Sequence, residues 1–590
     1  MKHLMTRWGK SLDKTNVLQE YPRPSLVRDS YLNLNGEWDY CINQQKTTEE
    51  YTGKILVPFS PETDLSGVAQ IVQPEDYLHY RKRFSLPEGF VKERVLLHFG
   101  AVDQECEVFL NQTKLGEHKG GYLPFSFDIT DALQEGENEL TLSVKDATEK
   151  SPHARGKQKL VRKGGMASIF YTPSSGIWKT VWMESVPEQY IEKVKVTPYY
   201  DESAVGICPI TKGTEKEVMV QISFQDEIVY EGSVSANKET KLPLKNFKSW
   251  TTEEPNLYDI GLKYGEDEVT SYFGMRKIEV KRDNKGILRF YFNDEPIFFS
   301  GVLDQGYWPE SLLTQPSDEA LKYDILKLKE LGYNTIRKHI KIESERFYYH
   351  CDKLGMMVWQ DMPNGGGNYN ITFVTYLPNG LPWVNGLLKD NLYHLFKRAD
   401  KEGKRQYRED LDGMIELLYH YPSVVEWTPF NEGWGQFDAK KATAQIREKD
   451  GSRLINEACG WFDQHGGDMY SIHNYLRKLK IKPKKKRVVA LTEFGGYAYP
   501  VKGHMACEKE FGYKAYQTAE GLANSYRKLW EEEIIPNIKN GLSATIYTQT
   551  SDIEEEINGI MTYDRDVIKL NETVIKEMNQ KAYKAFWKEM

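Results

Sequence analysis

No stretch of the 590 residues approaches the roughly 18 consecutive apolar positions that a membrane-spanning helix needs. The opening segment, Met1 to Lys10, also lacks the apolar run of about 7 to 15 residues that marks a secretory leader, so a cytoplasmic protein is expected. Cysteine is sparse. Cys41, Cys106, Cys208, Cys351, Cys459 and Cys507 are scattered, with no Cys-x-x-Cys pair, which excludes a ribbon-type metal site and a disulfide framework. An excess of basic charge is missing as well: 78 Lys and Arg stand against 86 Asp and Glu, a formal charge of -8, and a general nucleic-acid binder needs the opposite balance. What the chain does carry is aromatic surface. Its 37 Tyr and 13 Trp suit stacking on sugar rings, and they suit large cores equally well.

The length accommodates roughly three to four domains. Residues 1–187 read as all-β, with alternating strands such as 105–110, a hairpin tip at 111–116 and a returning strand at 125–130. That spacing predicts an antiparallel sandwich or jelly roll. Residues 188–281 continue in short alternating strands and predict a small immunoglobulin-like sandwich. From 282 to 590 apolar strands alternate with helical patterns, which calls for a parallel sheet of (β/α)8 TIM-barrel type. The expected barrel strands are 297–302, 335–338, 357–360, 424–428, 453–456, 470–473, 488–492 and 544–549. Ser317, Asp318 and Glu319 should cap a helix with apolar positions Leu321, Ile325, Leu328 and Leu331. A long connection after strand three, 362–405, should cover the active-site face. Between strands six and seven runs a basic stretch of Arg477, Lys478, Lys480, Lys482, Lys484, Lys485, Lys486 and Arg487, which reads as a solvated return segment.

Two of the buried strands end in carboxylates. The fourth hands over to Asn431, Glu432 and Gly433, and the seventh to Glu493, Phe494 and two glycines. Two glutamates facing one pocket from barrel strand ends are the equipment of a glycosidase. Further strand-end residues are candidates for the sugar site: Arg337 after strand two, Asp304 after strand one and His473 after strand six. Trp359, Trp434, Trp461 and Tyr547 could supply its hydrophobic floor. A metal-dependent hydrolase using His465, Asp468 and His473 is the weaker alternative, because these separations fit no compact ligand motif. No cofactor or metal is called for.

Several segments together carry a family resemblance. They are Tyr21-Pro22-Arg23-Pro24, Leu34-Asn35-Gly36-Glu37-Trp38, residues 176–182, residues 272–277, the Asn431-Glu432 pair, Thr492-Glu493-Phe494-Gly495-Gly496 and residues 547–565. In number and order they resemble glycoside hydrolase family 2 over nearly the whole chain. The resemblance implies that Glu432 is the general acid/base and Glu493 the nucleophile of a retaining, exo-acting hydrolase. It also implies that Asn431 holds the sugar 2-hydroxyl and that Arg337 orients Glu493.

The chain departs from many members of that family after strand one (Gly301 to Pro309) and after strand two (Arg337 to Lys341). The Asn-x-Lys signature of glucuronidases is missing from the loop after strand eight, Glu554 to Gly559. A neutral terminal sugar, β-galactoside first, is therefore expected. An α-L-arabinoside, β-mannoside or β-glucuronide is the alternative, as is an inactive carbohydrate-binding member of the same fold. The expected partner is a glycoside or oligosaccharide, with neither nucleic acid nor membrane, and a homo-oligomer is compatible with this reading.

Overall fold

The computed structural model describes residues 3–160, 168–508 and 510–590, with the side chains of residues 382 and 383 left aside. Two antiparallel sheets form the first domain. One orders Tyr31–Asn33, Val181–Val186, Arg94–Phe99 and Phe125–Asp128, and the other has six strands running from Gly53–Val57 to Thr113–Lys119. Their inward residues, among them Trp38, Leu97, Phe99, Val108 and Leu142, alternate with outward polar ones and meet in one core. The expected hairpin tip is a tight two-residue turn at Asn111 and Gln112, both at positive φ.

The second domain packs a three-stranded sheet (Tyr190–Tyr199, Ala204–Lys212, Thr240–Pro243) on a four-stranded one around Val205, Ile207, Val220, Ile222 and Ile260. Its exit is tied to the barrel by Arg276. That buried guanidinium donates to the carbonyls of Pro422 (3.1 Å), Val424 (3.2 Å) and Ser452 (3.2 Å) beneath the fourth barrel strand.

Eight parallel strands make the third domain: β1 (Phe299–Asp304), β2 (Thr335–Lys338), β3 (Met357–Asp361), β4 (Val424–Thr428), β5 (Leu454–Ile455), β6 (Met469–Asn474), β7 (Val488–Gly495) and β8 (Leu542–Thr548). They pair in the order β5-β4-β3-β2-β1-β8-β7-β6, a barrel nearly closed on itself. Across the seam between β5 and β6 the Asp468 amide donates to the Ile455 carbonyl (2.8 Å), and the Asp468 carboxylate accepts from the Ile455 amide (2.7 Å). β1 begins two residues later than expected, because Glu295–Ile297 belongs to a small sheet with Ile278–Arg282 and Leu288–Phe292. Phe290 and Phe292 of that sheet plug the barrel's lower end against Phe299 and Trp359.

Helices α1 (Asp318–Glu330), α2 (Glu345–Leu354), α3 (Lys401–Leu418), α4 (Ala439–Lys449), α5 (Ala519–Leu529) and α6 (Glu572–Trp587) pack outside the strands. The Ser317 hydroxyl caps α1 by accepting from the Ala320 amide, and Leu321, Ile325 and Leu328 face the barrel, as the spacing predicts. Among the described residues no helix joins β5 to β6 or β6 to β7. β6 is consequently the one barrel strand that is half-buried along most of its length. The basic run crosses this gap and is pinned there. Leu479 and Ile481 are buried, and their amides donate to Glu533 Oε2 (2.7 Å) and Asn537 Oδ1 (3.3 Å). None of the helices is long and apolar enough to cross a membrane among the described residues.

Candidate active site

Beyond β4 the chain runs through Pro429, Phe430 and Asn431 and reaches Glu432 at a φ of +52°, in the left-handed region. An L residue there costs about 1 kcal/mol or more. The Glu432 amide offsets this by donating to the Cys459 carbonyl (2.8 Å), while the Cys459 amide donates to the Phe430 carbonyl (2.8 Å). The turn aims the Glu432 carboxylate across the barrel mouth. Glu493 lies inside β7 with its carboxylate directed to the same place, and one oxygen from each group falls within 4.8 Å of the other. Only 7% of Glu432 and 5% of Glu493 is exposed, so both side chains are largely shielded from solvent.

Each carboxylate is held by donors. Trp434 Nε1 donates to Glu432 Oε2 (2.7 Å), and His473 Nδ1 lies 2.8 Å from Glu432 Oε1 and 3.3 Å from Glu493 Oε2. Arg337 Nη1 donates to Glu493 Oε1 (3.0 Å), and the Tyr475 hydroxyl donates to Oε2 (2.6 Å). Burial opposes ionisation of Glu493, but the positive charges of His473 and Arg337, with the Tyr475 hydrogen bond, outweigh it and hold the carboxyl well below its usual range. Burial also opposes protonation of His473. The Glu493 charge and the hydrogen bonds to Cys459 and Glu432 prevail and raise it to about 10. The imidazolium thus lies between the two glutamates and can offer its Nδ1 proton to either.

Arg337 is the hub beneath this pair. Its Nε and Nη2 donate to Asp361 at the end of β3 (3.0 and 2.8 Å), Nη2 to Asn431 Oδ1 (2.7 Å) and Nη1 also to the Thr492 carbonyl (3.1 Å). With its oxygen fixed on Arg337, the Asn431 amide nitrogen has no hydrogen-bond acceptor among the described residues. Gly495 and Gly496 sit at positive φ, and a Cβ on Gly496 would come within 2.5 Å of Tyr513. The missing side chain at Gly496 lets Tyr513 stack on Tyr475 with ring centroids 3.6 Å apart.

The first domain packs against the barrel near the site. Its segment 152–160 docks on the barrel through the Arg155 and Gly156 amides, which donate to the Asn364 carbonyl (2.7 and 3.0 Å). Tyr171 of the same domain donates to Glu556 in the loop after β8 and accepts from Gln305 Nε2 (2.6 Å). Lys157 is 9% exposed and has no carboxylate within ion-pair distance among the described residues. Burial raises the Glu556 carboxyl, and the Lys157 charge counters that rise.

Of the residues singled out in the sequence, Glu432, Glu493, Asn431, Arg337, His473 and Trp434 come together here. Trp461 lines the cavity beside His473, their rings 6.3 Å apart. Asp304 is elsewhere: it pairs with Lys338 (2.5 Å) in a buried network with Glu343 and Lys341 beside the barrel wall. Trp359 lies in the barrel's lower core against Phe299, with ring centroids 5.2 Å apart, and has no face toward the carboxylates. Tyr547 points outward to Phe494 and Tyr526; its neighbour Thr548 faces the site, 3.1 Å from the Tyr475 hydroxyl. His465 and Asp468 are taken by Gly386 and by the β5 seam, away from His473. Among the described residues, Glu432, His473 and Glu493 are the group at the site whose ligand atoms lie close enough to share a metal ion. Asp361, Tyr475 and Lys157 were missed. The first two had a signal, since Asp361 ends a strand as a carboxylate and Tyr475 stands one residue beyond one.

The chain matches three family models in sequence order. "Glycosyl hydrolase 2 galactose-binding domain-like" covers residues 51–175, "Glycosyl hydrolases family 2" covers 189–276, and "Glycosyl hydrolases family 2, TIM barrel domain" covers 285–581. A β-galactosidase of Thermoanaerobacter pseudethanolicus is 25% identical over 502 residues, 80% of this chain and 62% of that protein. A putative β-glucuronidase of Formosa agariphila is 25% identical over 482 residues, 77% of this chain and 53% of that protein. The chain therefore spans between half and two thirds of the length of these relatives. Among solved structures, the β-glucuronidase of Ruminococcus gnavus superposes with a TM-score of 0.73 at 17% identity, over 95% of this chain and 100% of that one. The β-D-glucuronidase of Dictyoglomus thermophilum gives 0.72 at 18% identity, over 96% and 98%. These likenesses are of fold.

Proposed function

The chain belongs to glycoside hydrolase family 2, and from that premise we propose that it is a retaining, exo-acting glycosidase removing a terminal neutral sugar, β-galactosides first, by double displacement. The observation that carries this reading is that Glu432 and Glu493 reach the same His473 Nδ1, at 2.8 and 3.3 Å, with one oxygen of each within 4.8 Å of the other, an approach compatible with the retaining separation. Retaining enzymes hold their carboxyl groups about 5 to 5.5 Å apart, whereas inverting ones leave about 6.5 to 9.5 Å for a water.

In the first step Glu432 gives its proton to the glycosidic oxygen as Glu493 attacks the anomeric carbon. The bond to the leaving group breaks and a glycosyl ester forms on Glu493. In the second, Glu432 as carboxylate takes a proton from water, the water oxygen attacks the same carbon and Glu493 departs. Trp434 and His473 hold Glu432 in place through both steps. Arg337 and Tyr475 keep Glu493 ionised until it attacks, and Asn431 is placed for the 2-hydroxyl, where a hydrogen bond strengthens as the oxocarbenium-like charge develops.

Removal of a terminal unit is the reading that the resemblance to the family supports. Lys157 and Glu556 together suit hydroxyl groups, which accept from an ammonium and donate to a carboxylate. The neutral sugar is preferred over the glucuronide because the loop after β8, Glu554 to Gly559, lacks the Asn-x-Lys signature of glucuronidases. Intact machinery around both glutamates weighs against an inactive binding protein.

Glu432→Ala tests the assignment. With a dinitrophenyl glycoside, whose leaving group needs no protonation, the variant should accumulate glycosyl-enzyme, and added azide should yield a glycosyl azide of retained configuration. An azide product of inverted configuration would reject the mechanism.

A further inference from the structure

We infer that the cavity leading away from the catalytic pair along β6 is a leaving-group subsite for an anionic unit: a sugar bearing a carboxylate or sulfate ester, next to the one removed. This rests on the glycosidase reading above. The cavity holds about 700 Å³, within the range of sites that enclose a whole drug-sized ligand. It begins at His473, Tyr475 and Tyr513, which surround the two glutamates, and passes Trp461 and Phe511. It ends against Arg477, Lys484 and Arg487 of the basic run.

The space exists because no helix flanks β6 among the described residues; consecutive residues from Tyr470 to Tyr475 all line it, and the basic run forms its outer wall. That wall is fixed. Leu479 and Ile481 anchor it inward, Asn474 Nδ2 donates to the Arg477 carbonyl (2.7 Å), and Arg477 Nη2 donates to the Asn379 carbonyl (2.6 Å). Lys484 lies over the Tyr470 ring at 4.0 Å and Arg487 near the same ring at 5.4 Å.

The charges do not cancel. Among the described residues Asp463 is the one carboxylate lining the cavity, and Arg487 already grips it with two bonds of 2.7 and 2.8 Å. Arg477 and Lys484 have no carboxylate within 4.0 Å among the described residues. Two uncompensated cations at the end of an aromatic-lined cavity, in a chain of net charge -8, make a local positive field that selects an anion.

The test compares kcat/KM for three disaccharides sharing the terminal sugar, with a neutral, a uronate or a sulfated unit on the leaving side, and for the matching nitrophenyl glycoside. The wild type should prefer the uronate or the sulfated substrate, whichever fits, by tenfold or more over the neutral one. The double variant Arg477→Gln/Lys484→Gln should abolish that preference, as should raising the salt toward molar concentration, while nitrophenyl glycoside turnover stays within twofold. Equal rates on all three disaccharides in the wild type, or a preference untouched in the double variant, would overturn the inference. Should no glycoside be turned over at all, the catalytic reading fails instead. The subsite is then judged by calorimetric binding of the same disaccharides, with equal affinities counting against it.

Discussion

Glu493 takes hydrogen bonds from two side chains of different character, and the neutral one can be removed without stripping a buried charge of its partner. Tyr475→Phe deletes the hydroxyl donor at 2.6 Å. A hydrogen bond to an ionised group contributes about 1.5 to 3 kcal/mol, so kcat/KM should fall roughly tenfold to a hundredfold. The pH profile gives the sign. The Glu493 carboxyl is depressed in the folded enzyme, so its active, ionised form persists down to low pH and is lost as pH falls through the depressed value. Losing the donor raises that value, and the acid limb of kcat/KM should move upward; a limb that stays put would contradict the assignment. Glu432, Glu493, Asn431 and Arg337 were legible because each ends or follows a buried strand within a motif. Trp359 and Tyr547 were not, because closeness to a strand end says nothing about direction. Side chains alternate along a strand, and Thr548 takes the inward place that Tyr547 leaves.

At the scale of elements, Arg276 predicts how the second domain is coupled to the barrel. Replacing it by Ala leaves the buried carbonyl of Pro422 and the part-buried carbonyl of Ser452 without their donor, while that of Val424 keeps Arg453 Nε (2.7 Å). Each orphaned group costs about 1 to 3 kcal/mol before relaxation or water entry. The thermal midpoint should drop by several degrees while kcat of the folded enzyme holds within twofold, and an unchanged midpoint would show that the contact is not structural. The barrel strands were readable from their apolar runs, since strands buried on both faces carry no polar alternation to confuse the pattern. What did not show was the loss of helices around β6. The run from Arg477 to Arg487 interleaves lysines with Leu479 and Ile481, a composition that a solvated segment and a pinned wall share, and only the packing of Leu479 and Ile481 separates the two.

At the scale of the whole molecule, the site is assembled from two domains. Lys157 comes from the first domain and Glu556 from the end of the barrel, 399 positions apart in the chain, so no local pattern could join them. The loop after strand eight lacks the Lys of the glucuronidase signature, and Lys157 is a buried cation whose charge reaches Glu556 of that loop. Lys157→Met should lower kcat/KM on the preferred glycoside tenfold or more. It should also leave the thermal midpoint little changed, because relieving the desolvation of a buried cation offsets the loss of its attraction to Glu556. A lowered midpoint with unaltered kcat/KM would make Lys157 structural. The central claim is covalent catalysis through Glu493, and the most direct test is to trap the intermediate. A 2-deoxy-2-fluoro glycoside with a good leaving group slows both steps by disfavouring the positive charge at the anomeric carbon, and it should inactivate the enzyme by leaving one sugar attached. Peptide mass spectrometry is predicted to find that sugar on Glu493. A label on any other residue, or full activity after prolonged exposure with no label, would contradict the account.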